Sequence, residues 1–539
     1  MNRNIIMAAM ALVVMPATAQ ETYENAKLAG EDLNGTARYV GMGGAMEALG
    51  ADLSTIGTNP AGIGLFRRST ASVSFGFVSQ QGGKSFDNAS TSNASFDQAG
   101  FVYVMRTGSS SFLNVAFNYH KSKNFNYILS AAGALNGSSQ NMLSFIKGVG
   151  LDNEQGASTW NIDDSKDVLM GTNSWTSQLD NLYYNNFIFG PDKTPGYNTA
   201  SGYRLNRAHS GYIGQYDFNI SGNIGDRIYL GLTTGIHDVH YKAYGEYTED
   251  LLDKNNQPVG SLTVADDRSI TGTGFDIKAG IIFRPIETSP LRIGLSVATP
   301  TWYSLTTSNY TTMKNATSYK GYHPTDANNS YSFKLYTPWI FGASIGHTVG
   351  DFLALGASYQ YADYGRLDTR VNDGDSYDPY WDSYYTTSSS DENMNRHTRQ
   401  TLKGVSTIKL GAEFKPTPAL ALRAGYNHES AMYATDGEKD VSIDSYGTNY
   451  STTTDFTNWK ATNRVTFGIG YTVKSLSIDV AYQYSATNGV FRPFIDASVP
   501  YNYLDANNKI VTETVAVHSD GVNVSNKRHQ LLLTIGYRF

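Results

Sequence analysis

The last ten residues of the chain decide its fold class. Residues 530–539 read Q-L-L-L-T-I-G-Y-R-F. Apolar side chains recur at every second position and end at Tyr537 and Phe539, and the residues between them are mainly polar or glycine. Because successive side chains of a strand point to opposite faces, this strand has one apolar face. An alternating strand of about ten residues is the unit of a transmembrane β-barrel.

The same alternation recurs upstream and predicts fourteen strands. They are expected near residues 69–79, 99–107, 111–122, 209–222, 226–247, 268–284, 290–303, 329–347, 351–364, 400–415, 418–430, 459–473, 475–486 and 526–539. Short turns at 108–110, 224–225, 285–289, 348–350, 416–417 and 474 alternate with long polar loops at 80–98, 123–208, 248–267, 304–328, 365–399, 431–458 and 487–525. Tight turns at one end and long loops at the other predict an all-β chain. The expected fold is a 14-stranded antiparallel transmembrane barrel with both termini in the periplasm.

Composition and the first residues indicate the compartment. Only 17% of the 539 residues are charged, the net charge is −7, and there is no cysteine. No basic cluster offers a nucleic-acid surface, and disulfides and thiolate sites are excluded. Residues 1–19 combine Arg3, an apolar run over 5–15 and Ala17-Thr18-Ala19, which is typical of a secretory signal peptide. We therefore expect a protein of the outer membrane of a Gram-negative bacterium.

No residue pattern predicts catalysis, a metal site or a cofactor. Gly41-Met42-Gly43-Gly44 lacks the preceding strand and the Lys-Ser/Thr of a phosphate-binding loop. His237 and His240 are three apart, so on a strand they point to opposite faces. Asp373, Asp375 and Asp378 lack the spacing and closing glutamate of an EF-hand. A solvated acidic loop is the preferred interpretation of that segment, and we expect a protein that is not an enzyme.

The segment before the first strand, residues 20–68, does not alternate. It is rich in Gly, Ala and Met, and Met42, Met46, Leu49 and Leu53 follow at spacings of three or four, which predicts short helical pieces that end at Asn59-Pro60. A fourteen-stranded barrel has a bore wider than side chains alone can fill. We therefore expect residues 20–68 to form a hatch inside the barrel that residues 69–539 form. An ordinary turn before the first strand is the alternative interpretation of Asn59-Pro60.

Residues 41–52, G-x-G-G-A-x-x-A-x-x-x-D, and the element Asn59-Pro60-Ala61-Gly62 resemble the long-chain fatty-acid transporter (FadL-like) family of outer-membrane barrels. That resemblance implies a hatch in a fourteen-stranded barrel and an apolar ligand that passes beside it. The family's wall opening lies in its third strand, where residues 112–120 show no Pro or Gly break. The position of a lateral gate is therefore left open.

Two groups of residues are predicted to meet the ligand. In the hatch they are Met42, Met46, Leu49, Leu53 and Ile63. The long loop 123–208 contributes apolar helix-like patches near 142–149 and 168–182, which include Phe145, Ile146 and Trp175. These patches either pack on one another as a lid or form an exposed site that catches the ligand.

The sequence thus predicts a channel for passive uptake of hydrophobic small molecules, such as long-chain fatty acids. The alternative is a barrel component of a secretion or surface-assembly system that binds protein partners through its long loops. Expected partners are outer-membrane lipid, lipopolysaccharide, the apolar ligand and the barrel-assembly machinery, whose signal the stripe ending at Tyr537 and Phe539 resembles; we expect a monomer. The identity of the ligand (fatty acid, aromatic hydrocarbon, haem or other) is left open.

Overall fold

The computed structural model describes residues 21–149, 160–163, 168–171, 175–380, 382–440, 443–504 and 509–539. The expected signal peptide lies outside these residues. The α-helices are α1 (Thr22–Ala29), α2 (Ala37–Gly41), α3 (Gln140–Val149), α4 (Gln178–Tyr183), α5 (Glu392–Thr401) and α6 (Tyr446–Asn449). Short 3-10 helices span Leu53–Gly57, Pro60–Leu65 and Tyr364–Arg366, and a π-helical turn spans Tyr184–Ile188. None of the helices in the described segments has the length and hydrophobicity of a transmembrane helix.

The described residues contain twenty-three strands, and strands that are consecutive in the chain are mostly neighbours in the sheet. They are β1 (Thr70–Gln80), β2 (Ser92–Arg106), β3 (Phe112–Asn124), β4 (Tyr127–Ala134), β5 (Trp160–Asp163), β6 (Val168–Gly171), β7 (Thr199–Ile224), β8 (Ile228–Leu252), β9 (Pro258–Phe283), β10 (Arg292–Ala298), β11 (Trp302–Asn315), β12 (Ala327–Tyr336), β13 (Ile340–Val349), β14 (Leu353–Asp363), β15 (Asp368–Asp378), β16 (Ser383–Ser390), β17 (Gly404–Phe414), β18 (Leu420–Glu429), β19 (Phe456–Val473), β20 (Leu476–Arg492), β21 (Ala497–Leu504), β22 (Ile510–Val517) and β23 (Val522–Arg538).

These strands close into a 14-stranded antiparallel barrel, as the alternation predicted. Four of the fourteen are interrupted and consist of two pieces each, namely β3 with β4, β10 with β11, β12 with β13, and β14 with β15. The last strand pairs with the first, from Thr70 opposite Arg538 to Gln80 opposite Arg528. The third strand runs unbroken through residues 112–120 and is interrupted only at 125–126. Closure leaves no sheet edge, which a barrel in lipid requires.

The outer surface carries an apolar belt that confirms the predicted register. Phe218, Ile236, Ile469 and Ile535 belong to the exposed apolar residues of this belt, and Ile469 is 57% exposed. Their chain neighbours on the inner face are buried, as Gly468 and Thr534 show. Along β8 the exposed apolar positions run from Ile228 to Ile236 and then give way to polar ones. A belt of this kind on a closed antiparallel barrel is the outer surface of an outer-membrane protein.

Three of the predicted loops contain β-structure that the sequence did not predict. Residues 248–267 belong mostly to the hairpin of β8 and β9, which extends far beyond the belt and turns only at 253–257. The loops 365–399 and 487–525 contain the hairpins β15–β16 and β21–β22. Above the membrane the outward face of a strand meets water, so the outward apolar stripe that marks a membrane-spanning strand ends there.

The N-terminal segment lies inside the lumen, and we call residues 21–66 the hatch. The predicted short helical pieces are present as α2, which ends at Gly41, and as the 3-10 helix Leu53–Gly57, but residues 42–52 between them are not helical. Gly43, Gly44 and Gly50 have positive φ angles of 63°, 79° and 61°, which end a right-handed helix. Asn59 follows the end of the 3-10 helix Leu53–Gly57, as predicted. It caps the 3-10 helix that Pro60 begins, with its Oδ1 accepting from the Ala61 amide at 3.2 Å.

Glycines of the wall let the hatch backbone touch the barrel. A methyl group added at Gly231 would lie 2.5 Å from the carbonyl oxygen of Pro60, well inside an ordinary contact. On the other side of the barrel, one added at Gly411 or Gly425 would overlap the backbone around Met42. The hatch therefore spans the lumen from wall to wall.

Hydrogen bonds and ion pairs fix the hatch in this position. Ser221 Oγ donates to the Pro60 carbonyl at 2.8 Å, and Thr466 Oγ1 donates to the Gly41 carbonyl at 3.1 Å. Glu47 is fully buried, and the Lys409 ammonium pairs with it at 2.8 Å. A buried carboxylate needs such a partner, because an unpaired charge in the interior is costly.

Candidate functional site: a cavity between the hatch and the wall

A cavity of about 210 Å³ lies in the lumen beside the first part of the hatch, and we call it the central cavity. Hatch residues between Ala26 and Asn34 form one side. The other lining residues come from the third, fourth and fifth strands and from the eleventh to the fourteenth, with the loops above them. For scale, an engineered apolar cavity of about 150 Å³ holds one benzene molecule. The central cavity therefore has room for a molecule of one or two rings.

Aromatic side chains form one part of the cavity wall. They are Phe125, Tyr127, Tyr241, Tyr433 and Trp459. The Tyr127 ring stacks on the His209 imidazole with centroids 4.2 Å apart, and it meets Trp459 edge-on at 6.4 Å. Such stacked and edge-on contacts hold the rings in fixed positions. This part of the wall presents flat, rigid surfaces to anything in the cavity.

Polar side chains of the last two strands form another part. They include Gln483, Ser485, Thr487, Asn526, Arg528 and Gln530. Two oxygens in this set, Gln483 Oε1 and Asn526 Oδ1, are buried and have no hydrogen-bond partner within the described residues. Buried polar atoms are nearly always paired, so each such atom calls for an explanation. A bound molecule with hydrogen-bond donors would supply it.

His209 contributes a neutral ring to the cavity. It precedes Tyr216, the first exposed apolar residue of β7, by seven residues and therefore lies outside the apolar belt. Burial lowers the pKa of His209 well below its usual range, because desolvation disfavours the charged imidazolium. Its Nδ1 is 2.8 Å from the Tyr241 hydroxyl, and its Nε2 has no partner in the described part of the chain.

Most of the charges in the cavity wall are matched by opposite charges. Lys27 pairs with Glu24 at 2.7 Å, and Arg464 pairs with Glu429 at 2.9 Å. Arg528 lies 3.9 Å from a carboxylate oxygen of Asp32. Lys123, Lys460 and Glu31 also line the cavity. The cavity is therefore polar and aromatic at once, which differs from a purely hydrocarbon-lined pocket.

The hatch residues that were predicted to contact the ligand all pack into the interior between the hatch and the wall. Met42, Met46 and Leu49 form a buried cluster with Ala481 and Leu532 of the wall. Leu53 and Ile63 belong to a second cluster, with Val102 and Ala116 of β2 and β3. These hatch residues do not line the central cavity. Their contact with a ligand stays a prediction.

The loop residues that were predicted to contact the ligand belong to a lid of packed helices. Phe145 and Ile146 on α3 are fully buried in a cluster that also contains Leu179 and Leu182 of α4. The Trp175 Nε1 donates to the carbonyl of Lys147 at 3.3 Å. Packing of these patches on one another is what the lid interpretation expects. The parts of this loop at 150–159, 164–167 and 172–174 lie outside the described residues.

The hatch motif has a clear place in the structure. Asn59 is fully buried, and its side chain lies against Gly280 and Gly294 of the wall. Pro60 and Ala61 lie against Gly231, and Gly62 packs inside the hatch on Thr55. The motif thus positions the hatch against the wall between β8 and β10.

The structure brings no three His, Asp or Glu side chains together as a metal site within the described residues. His237 is buried and His240 is exposed, so the two point to opposite faces, as their spacing predicted. Asp373 and Asp375 lie in the exposed hairpin of β15 and β16.

The residues of the central cavity were missed from the sequence. They come from many segments far apart in the chain, and inward polar residues such as Gln483 and Gln530 look like any lumen lining. A pair of glutamines at inward positions of two neighbouring strands is the one local signal, since Gln483 lies directly opposite Gln530.

Comparisons with known proteins give matches only among solved structures. Neither a protein-family model nor a curated protein matches the chain. A FadL homologue of Pseudomonas aeruginosa is 13% identical, with 95% of this chain and 100% of that chain covered and a TM-score of 0.48. The toluene transporter TbuX of Ralstonia pickettii is 13% identical, with coverage of 94% and 99% and a TM-score of 0.44. For the toluene transporter TodX of Pseudomonas putida the values are 10%, 95%, 99% and 0.44.

These matches concern the same family that the hatch motif resembles. With TM-scores below 0.5 they carry no argument for this chain. The fold rests on the strand pairing, and the function has to be argued from the central cavity.

Proposed function

We propose that the protein is an outer-membrane channel for passive uptake of hydrophobic small molecules. The observation that carries this proposal is an aromatic-walled cavity enclosed between a fixed hatch and a lipid-facing barrel. Concave sites with aromatic walls and a few placed polar groups are typical of small-molecule binding. Lipopolysaccharide holds back apolar solutes, and a protein-lined route past it would be the missing path.

The proposed transport needs no chemistry. A ligand would enter from the long-loop side, rest in the central cavity beside Tyr127 and Trp459, and move on when the hatch adjusts. Uptake would run down a concentration gradient. We place the tight turns and both termini of the barrel in the periplasm, with the barrel a monomer in outer-membrane lipid and lipopolysaccharide. The terminal stripe of Tyr537 and Phe539 would serve the barrel-assembly machinery.

Uptake of radiolabelled naphthalene tests this proposal. A Gram-negative host that lacks its general porins would express the intact protein, and the initial rate of uptake would be compared with that of the empty vector. Ser485→Trp fills the cavity from its polar side and should reduce uptake to the vector rate. The matched control Tyr482→Trp changes a residue that is 37% exposed and should leave uptake unchanged.

Failure of this experiment has a defined meaning. Equal uptake with and without the protein, at equal surface abundance, would remove the channel proposal. If secreted or surface-attached proteins then co-purify with the barrel and disappear from the cell surface when it is deleted, the protein belongs to a secretion or surface-assembly system.

A further inference from the structure

Gln483, which lines the central cavity, carries a buried acceptor atom that points to the chemistry of the ligand. Gln483 lines the cavity and is 6% exposed, and its Oε1 has no hydrogen-bond partner. Leaving a buried acceptor unpaired is unfavourable, so the site gains when a donor reaches it. The protein groups around this oxygen do not supply that donor in the described residues.

A chain of amide hydrogen bonds fixes which atom of Gln483 is left free. The Asn34 Nδ2 lies 2.9 Å from the Asp97 carboxylate and 3.0 Å from the Lys121 carbonyl, and both of these groups only accept. This end of the Asn34 amide must therefore be the amino group, and its Oδ1 is the acceptor. That assignment removes the usual ambiguity between the two ends of an amide side chain.

The assigned orientation of the Asn34 amide determines the orientation of two glutamine side chains, the second of which lines the cavity. Asn34 Oδ1 accepts from Gln530 Nε2 at 3.2 Å, so the oxygen of Gln530 is its other end. Gln530 Oε1 in turn accepts from Gln483 Nε2 at 3.1 Å. The free atom of Gln483 is consequently a carbonyl oxygen and not an amino group. A molecule that pairs with it must bring an N–H or O–H.

The rest of the cavity limits the size and charge of that molecule. Its volume of about 210 Å³ and the rigid rings of Tyr127 and Trp459 suit a flat compound of one or two rings. Because Arg464 and Arg528 already face carboxylates, they do not favour a carboxylate ligand over a neutral one. A free carboxylate would also bring only acceptors to the Gln483 oxygen.

We propose that the central cavity selects ring compounds that carry a hydroxyl or amino group, and that this group donates to Gln483 Oε1. This inference rests on the proposed channel function and narrows its substrate class from hydrocarbons to donor-bearing, ring-containing amphiphiles. Asn526, whose Oδ1 is also unpaired, offers a second acceptor in the same wall. Gln483 is a specificity-determining residue in this scheme.

The test measures binding of three matched probes to the full-length protein in detergent. Naphthalene, 2-naphthol and 2-naphthoate share one ring system and differ in the polar group, and calorimetric titration gives the dissociation constant of each. We expect 2-naphthol to bind about tenfold more tightly than naphthalene, as one added hydrogen bond provides. Each constant is corrected for the partition of that probe into protein-free micelles, because the three probes partition to different extents.

Two variants locate the effect. Gln483→Met keeps the length of the side chain and removes the acceptor, so the preference for 2-naphthol should fall to near unity while naphthalene still binds. Gln215→Met is the matched control, because Gln215 is equally buried and has an unpaired Oε1 but does not line the central cavity. It should retain the tenfold preference. Heat-modifiable mobility on gels verifies that both variants are folded barrels.

The outcomes separate this inference from the channel proposal. Equal affinity for naphthalene and 2-naphthol in the unmodified protein would overturn the donor requirement and leave an apolar channel. Tightest binding of 2-naphthoate would overturn it in favour of an anion site, with Lys123 and Lys460 as its cations. Retention of the preference in Gln483→Met would remove Gln483 from the site. If the unmodified protein binds none of the probes and does not take up naphthalene in cells, the channel proposal itself fails.

Discussion

A single methyl group added at Gly231 should loosen the hatch and open the barrel to ions. The added carbon would lie 2.3 Å from the Pro60 carbonyl carbon and 2.5 Å from the Ala61 nitrogen, whereas an ordinary contact begins at 3.4 Å. Both of these atoms belong to the hatch backbone, so no side chain can turn aside. The hatch therefore has to move by about 1.1 Å at this point.

The size of the effect follows from the cost of overpacking. Forcing an extra methyl into a packed interior costs about 1–3 kcal/mol. At about 1.4 kcal/mol per factor of ten, the ratio of seated to displaced hatch falls about 5- to 150-fold. Gly425→Ala produces the same conflict with the hatch backbone at Gly43, against a different group of strands. Because the two contacts share no partner, their effects should add in the double variant.

Ion conductance in planar lipid bilayers measures the displaced fraction. We expect rare openings in the unmodified protein, more frequent openings in Gly231→Ala, and the largest open fraction in Gly231→Ala/Gly425→Ala. Gly196→Ala is the control, since a methyl group there meets no atom within 4 Å. If the double variant inserts normally and is as electrically tight as the unmodified protein, the hatch does not close the lumen and the reasoning fails.

Three further predictions concern the barrel surface, the lid and the C-terminus. Ile469→Lys, in the middle of the apolar belt, should lower the free energy of unfolding in bilayers by about 2–4 kcal/mol, whereas Ile286→Lys in an exposed tight turn should change it little. Burial raises the pKa of Glu249, which accepts from the first amide of α3, to about 7. The folded lid therefore favours the protonated form of Glu249. The contribution of Glu249 to the free energy of unfolding is complete below pH 4.5, and roughly 3 kcal/mol of it is lost as the pH rises through 7. Protease cleavage of the lid should accordingly be faster at pH 8 than at pH 5 and lose this dependence in Glu249→Gln; a pH-independent rate in the unmodified protein would contradict this. Deletion of Phe539, which is 65% exposed and whose amide donates to the Ser69 carbonyl at 3.0 Å, should reduce outer-membrane levels and leave protein in the periplasm, and unchanged surface abundance would count against an assembly role.

The membrane-crossing part of the fold was predictable because lipid imposes a pattern. Ile469 and Ile535 face the outside, and their neighbours Gly468 and Thr534 face the lumen, as the alternation indicates. Above the membrane that constraint ends. The hairpin of β8 and β9 therefore extends through residues 248–267, where the sequence is mainly polar, as is typical of a loop.

The hatch was predictable as a segment but not in its conformation. Met42, Met46 and Leu49 have helical spacing, and all three are buried. The chain around them is nevertheless not helical, because it turns at glycines with positive φ. The close approach of hatch and wall depends on pairs such as Pro60 with Gly231, which are 171 positions apart in the sequence. Sequence spacing carries no information about such pairs.

The central cavity was the least predictable feature. Its acceptor at Gln483 is defined by a relay through Gln530 and Asn34 to Asp97, which joins two strands, the hatch and a third strand. Each of these residues alone reads as ordinary lumen lining. Only their arrangement in space shows which atom is left without a partner.

A crystal structure of the protein soaked with 6-bromo-2-naphthol tests the central claim most directly. The bromine gives an anomalous signal whose position needs no interpretation of weak density. We predict one peak inside the central cavity, with the ring against Tyr127 and Trp459 and the hydroxyl within hydrogen-bond distance of Gln483 Oε1. Bromine found only on the lipid-facing belt, with the cavity holding none at a saturating concentration, would contradict the claim that this cavity is the ligand site of a channel.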